Sequence, residues 1–289
     1  MKYLLTFGGG LGDIILSYLM LESGYIKSLK EREPNCKIRA AIMSHNPNVV
    51  EFFAHTLAID EIFYKPWDGN PFDFFRYSGD GCTPMEITGQ STNVCAPIAR
   101  GLELNPTLGG LSYERPEIYM DEEEIEVARD ILSGGKFIVL HPFAGAAHRN
   151  MERSFDLIKV IDALCDAGVR VVVVGGTSNR IEGSETTLVE ELSYERDGLV
   201  NLVNKHSVRL HAYLTTRAHR FIGTMSCYSC AAIPFKVPCL VFADVHRSQA
   251  PKGFPWNGIM DLYNKNETKL YHFDQLPKDI FERIVRFAK

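Results

Sequence analysis

The sequence has no apolar run near the roughly 20 residues that a membrane-spanning helix takes, and its opening, MKYLLTFGGGLGD, meets glycine and aspartate too soon for a secretory leader. Neither sign of charge dominates. Lys and Arg number 31 against 36 Asp and Glu, a formal net charge of -5, so no overall basic field announces nucleic acid or acidic lipid. The seven cysteines are odd in number and scattered, which argues for reduced thiols in a cytoplasm rather than a disulfide framework. A P-loop is excluded, because no Gly-Lys-Ser/Thr follows the first glycines. A nicotinamide-cofactor fingerprint is missing too: Gly8, Gly10 and Asp13 would fill the three glycine places. Metal ligands do not converge. Glu122-Glu123-Glu124 reads as one solvated helix start, and Cys227 and Cys230, a CxxC, lack two further ligands at matching spacing. The expectation is no metal and no cofactor.

What is present is an ordinary globular composition, 45% hydrophobic and 23% charged over 289 residues, with room for two medium domains. The pattern alternates strand and helix. A strand over 3–7 runs into the glycines from Gly8 to Gly12 and a helix over 14–30. A strand over 38–43, a helix to about Leu57 capped by Ser44 or Asn46, and a strand over 59–64 follow. Residues 66–112 mix glycine, proline and aromatics and read as loops with short helices, one near 94–102. A helix over 121–132 carries acids in its first turn, as the dipole favours, and Ser133-Gly134-Gly135 ends it. The domain boundary is placed there, giving 1–133 and 134–289.

The second half is more regular. Strands at 137–141, 169–174, 199–203 and 239–242 alternate with helices at 155–167, 185–195 and 207–218, and a terminal helix covers 276–289 and packs back on the first domain. Small-residue turns follow three strands, at 142–147, 175–177 and 223–227. Ligands of open α/β sheets bind at that carboxyl edge. Within Arg220 to Phe242, Ser226 reads as the cap of a short helix, and the stretch is equally an anion site formed by that helix's N–H groups or an ordinary strand-turn-helix of an α/β core. Two such halves imply an α/β chain with two Rossmann-like domains facing across a cleft.

The order of these features resembles the ADP-heptose:lipopolysaccharide heptosyltransferase-like glycosyltransferases, of GT-B architecture. Gly12-Asp13 matches their glycine-aspartate turn after the first strand. His141-Pro142, Ala144-Gly145-Ala146 and Arg149 match the loop that opens their second domain. Gly175-Gly176, then Asn201-Leu202 with Ser207 to Leu214, then Ile222-Gly223, Ser226, Ala232 and Pro238 follow in frame. The resemblance is strongest in the second half and slight over 66–120. Met225, Cys227 and Cys230 stand where the family has an acid, a glycine and a histidine, and Met151-Glu152 stands in place of Trp-Pro.

The resemblance implies a cytoplasmic, metal-independent and inverting transfer of a hexosyl, heptosyl or pentosyl unit from a nucleoside diphosphate sugar to a hydroxyl. The acceptor is a bacterial surface glycan or a hydroxylated modified base in DNA. A leaving diphosphate needs cations or N–H groups, and Gly145, Arg149, Gly175, Gly176, Thr224, Ser226 and Cys227 are the donor-side candidates. Asp13 is the general base for the acceptor hydroxyl, against the alternative of a helix cap. Gly10, Gly12 and His45 share its side. A nucleotide-sugar epimerase and a non-catalytic nucleotide-sugar binder stay open as alternatives, as does the oligomeric state.

Overall fold

A computed structural model describes residues 2–8, 11–21, 26–44, 47, 49–54, 56, 59–66, 83–85, 117–144, 150–176, 194–232, 235–243 and 268–289. The chain divides into two compact units, Met1–Tyr119 with Pro251–Asp261 and Met120–Ala250 with Leu262–Lys289.

The first unit holds a parallel sheet in the order β3-β2-β1-β4. Its strands are β1 (Lys2–Gly8), β2 (Lys37–Ser44), β3 (Glu61–Pro66) and β4 (Thr83–Met85). The first three were legible as apolar runs. β4 was not: it is three residues long and carries Pro84, which an edge strand tolerates. The helix expected over 14–30 is described at α1 (Leu11–Leu21) and α2 (Lys27–Arg32), and 22–25 lie outside the described residues. α3 covers only Val49–Phe53, stopping short of Leu57. Apolar side chains from strand and helices meet in an aromatic core. Tyr18 packs at 4.8 Å from Phe53 and Phe7 at 5.6 Å from Phe53.

The second unit opens with α4 (Glu122–Ser133), whose start is a capping box between Asp121 and Glu124. The expected boundary after Ser133 therefore falls behind a helix that clusters with the second unit. The reason is Arg209, buried at 5% exposure, whose Nε donates to Glu124 Oε2 at 2.7 Å and whose Nη2 reaches Asp121 Oδ2 at 3.2 Å. Ser207 also donates to Glu124. Glu124 is thus a buried ion-pair partner, not the solvated acid read from the sequence.

Six parallel strands follow in the order β10-β9-β8-β5-β6-β7. They are β5 (Ile138–His141), β6 (Val171–Val173), β7 (Leu199–Asn201), β8 (Arg220–Thr224), β9 (Cys239–Ala243) and β10 (Lys269–His272). β5, β6 and β9 are buried throughout, as strands covered on both faces are. α5 (Leu157–Asp166) is capped by Asp156 and closed at Gly168, whose φ of 76° suits a left-handed helix end. α6 (Val208–Arg217) is capped by Ser207, as its position before the apolar stripe implied. α7 covers only Cys227–Ala232, ending two residues before Pro234. α8 (Ile280–Ala288) packs on α5 and β8 of the second unit through Ile280, Ile284 and Phe287. The helix expected at 185–195 and that near 94–102 lie outside the described residues.

Candidate functional site

Strand order locates the site. In the second sheet the chain runs β5, β6, β7 in one direction, returns to the other flank of β5, and continues β8, β9, β10. The order reverses between β5 and β8. Crevices of open parallel sheets form outside the carboxyl ends of the strands at such a reversal. His141 ends β5 there, and Gly223 and Thr224 end β8 beside it.

A polar cluster joins the turns at this point. Ser226 Oγ lies 2.7 Å from His141 Nδ1. The Tyr228 ring meets the His141 ring edge-on at 4.6 Å. The Tyr228 hydroxyl lies 3.3 Å from His211 Nδ1, and the Gly175 N–H points at the same nitrogen from 3.4 Å. Gly175 takes φ of 129°, and a Cβ there would stand 3.0 Å from His141 Cδ2, so only glycine fits. Gly223 is as constrained, since a Cβ would meet the His141 carbonyl oxygen at 2.4 Å.

Burial depresses both histidines. His141 is held down to about 3, chiefly by burial and then by His211. His211 is held down to about 3 by burial and by His206, against a hydrogen bond that its ring donates to the Leu202 carbonyl. Burial thus favours the neutral imidazole, and His141 stands as a hydrogen-bond partner of Ser226.

The residues singled out from the sequence fare unequally. Thr224 is fully buried, and its hydroxyl donates to the Phe143 carbonyl at 3.2 Å, which ties the β8 end to the loop after β5. Ser226 sits at the cap position of α7, yet its hydroxyl turns to His141 instead of capping. Its N–H donates to Ser229 Oγ at 2.8 Å, so that donor is used within the turn. Gly175 is buried and Gly176 half-buried at the β6 end. Cys227 is half-buried and Cys230 buried, as small side chains of a short helix. Cys239 is buried in β9, and burial pushes its thiol up to about 12, which makes it inert. Among the described residues no three of His, Cys, Asp and Glu gather as a metal group would require.

In the first unit Gly12 and Asp13 are the second and third residues of α1. Asp13 is then not the N-cap; it lies in the first turn, where the dipole favours an acid. Gly10, His45, Gly145 and Arg149 lie outside the described residues.

No family model matches the sequence, and no curated protein matches it. Solved structures do match in fold. A glycosyl transferase family 9 protein from Veillonella parvula DSM 2008 is 14% identical, with 100% of this chain and 89% of that chain covered and a TM-score of 0.57. The Escherichia coli ADP-heptose lps heptosyltransferase II is 13% identical, with 99% and 97% covered and a TM-score of 0.60. The E. coli heptosyltransferase WaaC, solved with ADP, is 12% identical, with 99% and 97% covered and a TM-score of 0.58. The chain has the GT-B fold. At these identities the likeness is one of fold, and it agrees with the two Rossmann-like sheets expected from the sequence.

His211 and Tyr228 were missed. Ser207, once read as a cap, fixes the phase of α6 and puts His211 on the same stripe as the buried Val208, Ala212 and Thr215. A histidine on such a stripe must find a partner. Tyr228 was hidden inside the CxxC.

Proposed function

We propose that the chain is a glycosyltransferase that moves a sugar from a nucleoside diphosphate sugar to a hydroxyl acceptor, without a metal and with inversion. The observation that carries this reading is the reversal between β5 and β8, where three turns built of small residues surround one point of the sheet edge. Proteins of the same fold are named as glycosyltransferases, and one of them, the E. coli heptosyltransferase WaaC, was solved both with ADP and with ADP-2-deoxy-2-fluoro heptose. Arg149 meets the donor diphosphate beside Gly145, Gly176 and Cys227, and Asp13 takes the acceptor proton. Thr224, Gly175 and Ser226 hold the turns from behind. The net charge of -5 favours a surface glycan over DNA as acceptor, and scattered cysteines favour a cytoplasmic setting.

A second reading, a nucleotide-sugar binder without turnover, draws on the buried Met225 and Cys230 at positions where the resembling family has an acid and a histidine. Incubation with labelled UDP-, GDP- and ADP-sugars separates the two. Slow donor hydrolysis identifies a transferase, binding without turnover the binder, and an altered sugar an epimerase. Hydrolysis should persist in EDTA; its loss on chelation contradicts the metal-free reading. In the transferase case Asp13→Asn should leave donor binding intact and cut turnover about 100-fold or more, the range for a positioned base. An unchanged rate removes Asp13 from the chemistry and makes His45 the next base to test.

A further inference from the structure

Buried polar side chains cost free energy unless paired. Three of them, His141, His211 and Tyr228, nevertheless meet the half-buried Ser226 where the strand order reverses, each on a different element or turn. They touch three of the turns that surround that point. His141 closes β5, Ser226 heads the turn after β8, and His211 on α6 receives the N–H of Gly175 after β6. Tyr228 on α7 links the two histidines, edge-on to one and by its hydroxyl to the other. An apolar core of the same volume would hold the sheet equally well, but it would not fix the angle at which the turns leave it.

We propose that His141, Ser226, Tyr228 and His211 are positioning residues that hold the turns after β5, β6 and β8 in the shape that admits a nucleoside diphosphate. This rests on the glycosyltransferase reading. The group makes no contact with the reacting atoms. Neutral imidazoles suit the role, because burial and their neighbours keep both histidines uncharged near pH 7.

The test is calorimetry with UDP, GDP, ADP and CDP on the full chain, with a thermal melt beside it. Ser226→Ala removes the hydroxyl that His141 holds and should weaken the best nucleotide about tenfold, at the upper end of one hydrogen bond's net worth, while the melt stays within a few degrees. Ser226→Thr keeps a hydroxyl and should restore most of the affinity, which a role in packing alone would not require. His141→Phe keeps the ring and loses the nitrogens. Combined with Ser226→Ala it should be no worse than the weaker single variant, since one interaction is lost once. If His141→Phe fails to fold, the Ala and Thr variants at position 226 decide. Equal affinity of the parent and Ser226→Ala overturns the positioning role alone. If the parent binds none of the four nucleotides, the glycosyltransferase reading falls and the positioning role falls with it.

Discussion

The two units build the same edge by different means. Each has a parallel sheet in which the first strand lies between the second strand and a later one, β2-β1-β4 in the first unit and β6-β5-β8 in the second. After β1 the turn is spelled by glycine, and α1 begins at Leu11 with Gly12 and Asp13 in its first turn. After β5 and β8 the turns are clasped by side chains, His141 with Ser226 and Thr224 with the Phe143 carbonyl. A glycine turn leaves its shape to the backbone. A clasped turn has its shape set by hydrogen bonds that one substitution can remove. The second unit is thus where point mutations should tune ligand geometry, and the first is where they should remove a chemical group outright.

The comparison breaks most severely at the buried pair that fixes α4 to α6. Arg209→Ala leaves Glu124 buried and uncompensated and should cost about 3–5 kcal/mol, read as a large drop in the denaturation midpoint. A midpoint equal to the parent's would mean that α4 is held by packing alone. Gly223→Ala drives a methyl into the His141 carbonyl at 2.4 Å. It should cost about 3 kcal/mol, the upper range for overpacking, and chemical denaturation measures it directly.

Acid sharpens the contrast. His141 and His211 have folded pKa values near 3, below the usual 6.5, so the unfolded chain binds protons first as pH falls. Stability is full above about pH 6.5 and should fall below it by about 1.4 kcal/mol per pH unit for each histidine. Denaturation between pH 6.5 and 4.5 reads this before carboxylates such as Asp162 and Asp279, whose pKa values are lowered by their arginine and tyrosine partners, begin to contribute. His219, lowered by burial and by Arg220 and Lys136, adds a share in the same window, so His211→Asn should cut the slope by somewhat less than half; an unaltered slope would mean that other groups carry it. The smallest effect is at a helix start. Ser207→Ala removes the α6 cap and the hydroxyl that donates to Glu124 and should cost about 1–2 kcal/mol, visible as a modest shift in the same denaturation curves.

Local chemistry was legible in the sequence and distant pairing was not. Ser207 and Gly168 announced helix ends because a cap acts within one turn. Strands β5, β6 and β9 announced themselves by unbroken apolar runs. Glu124 read as solvated because its partner Arg209 stands 85 residues away. The role of Ser226 was misjudged for the same reason: its position named a cap, but the hydroxyl answers to His141, also 85 residues distant. β4 escaped because a three-residue edge strand with a proline has no periodicity to read.

The central claim, that a donor diphosphate binds where β5 and β8 part, is tested most directly by a crystal structure with the best-binding nucleoside diphosphate. The account predicts the diphosphate outside the carboxyl ends of β5 and β8, near Arg149 and the turn headed by Ser226. A diphosphate bound instead at the glycine turn after β1, with the β5 and β8 edge empty, would contradict it.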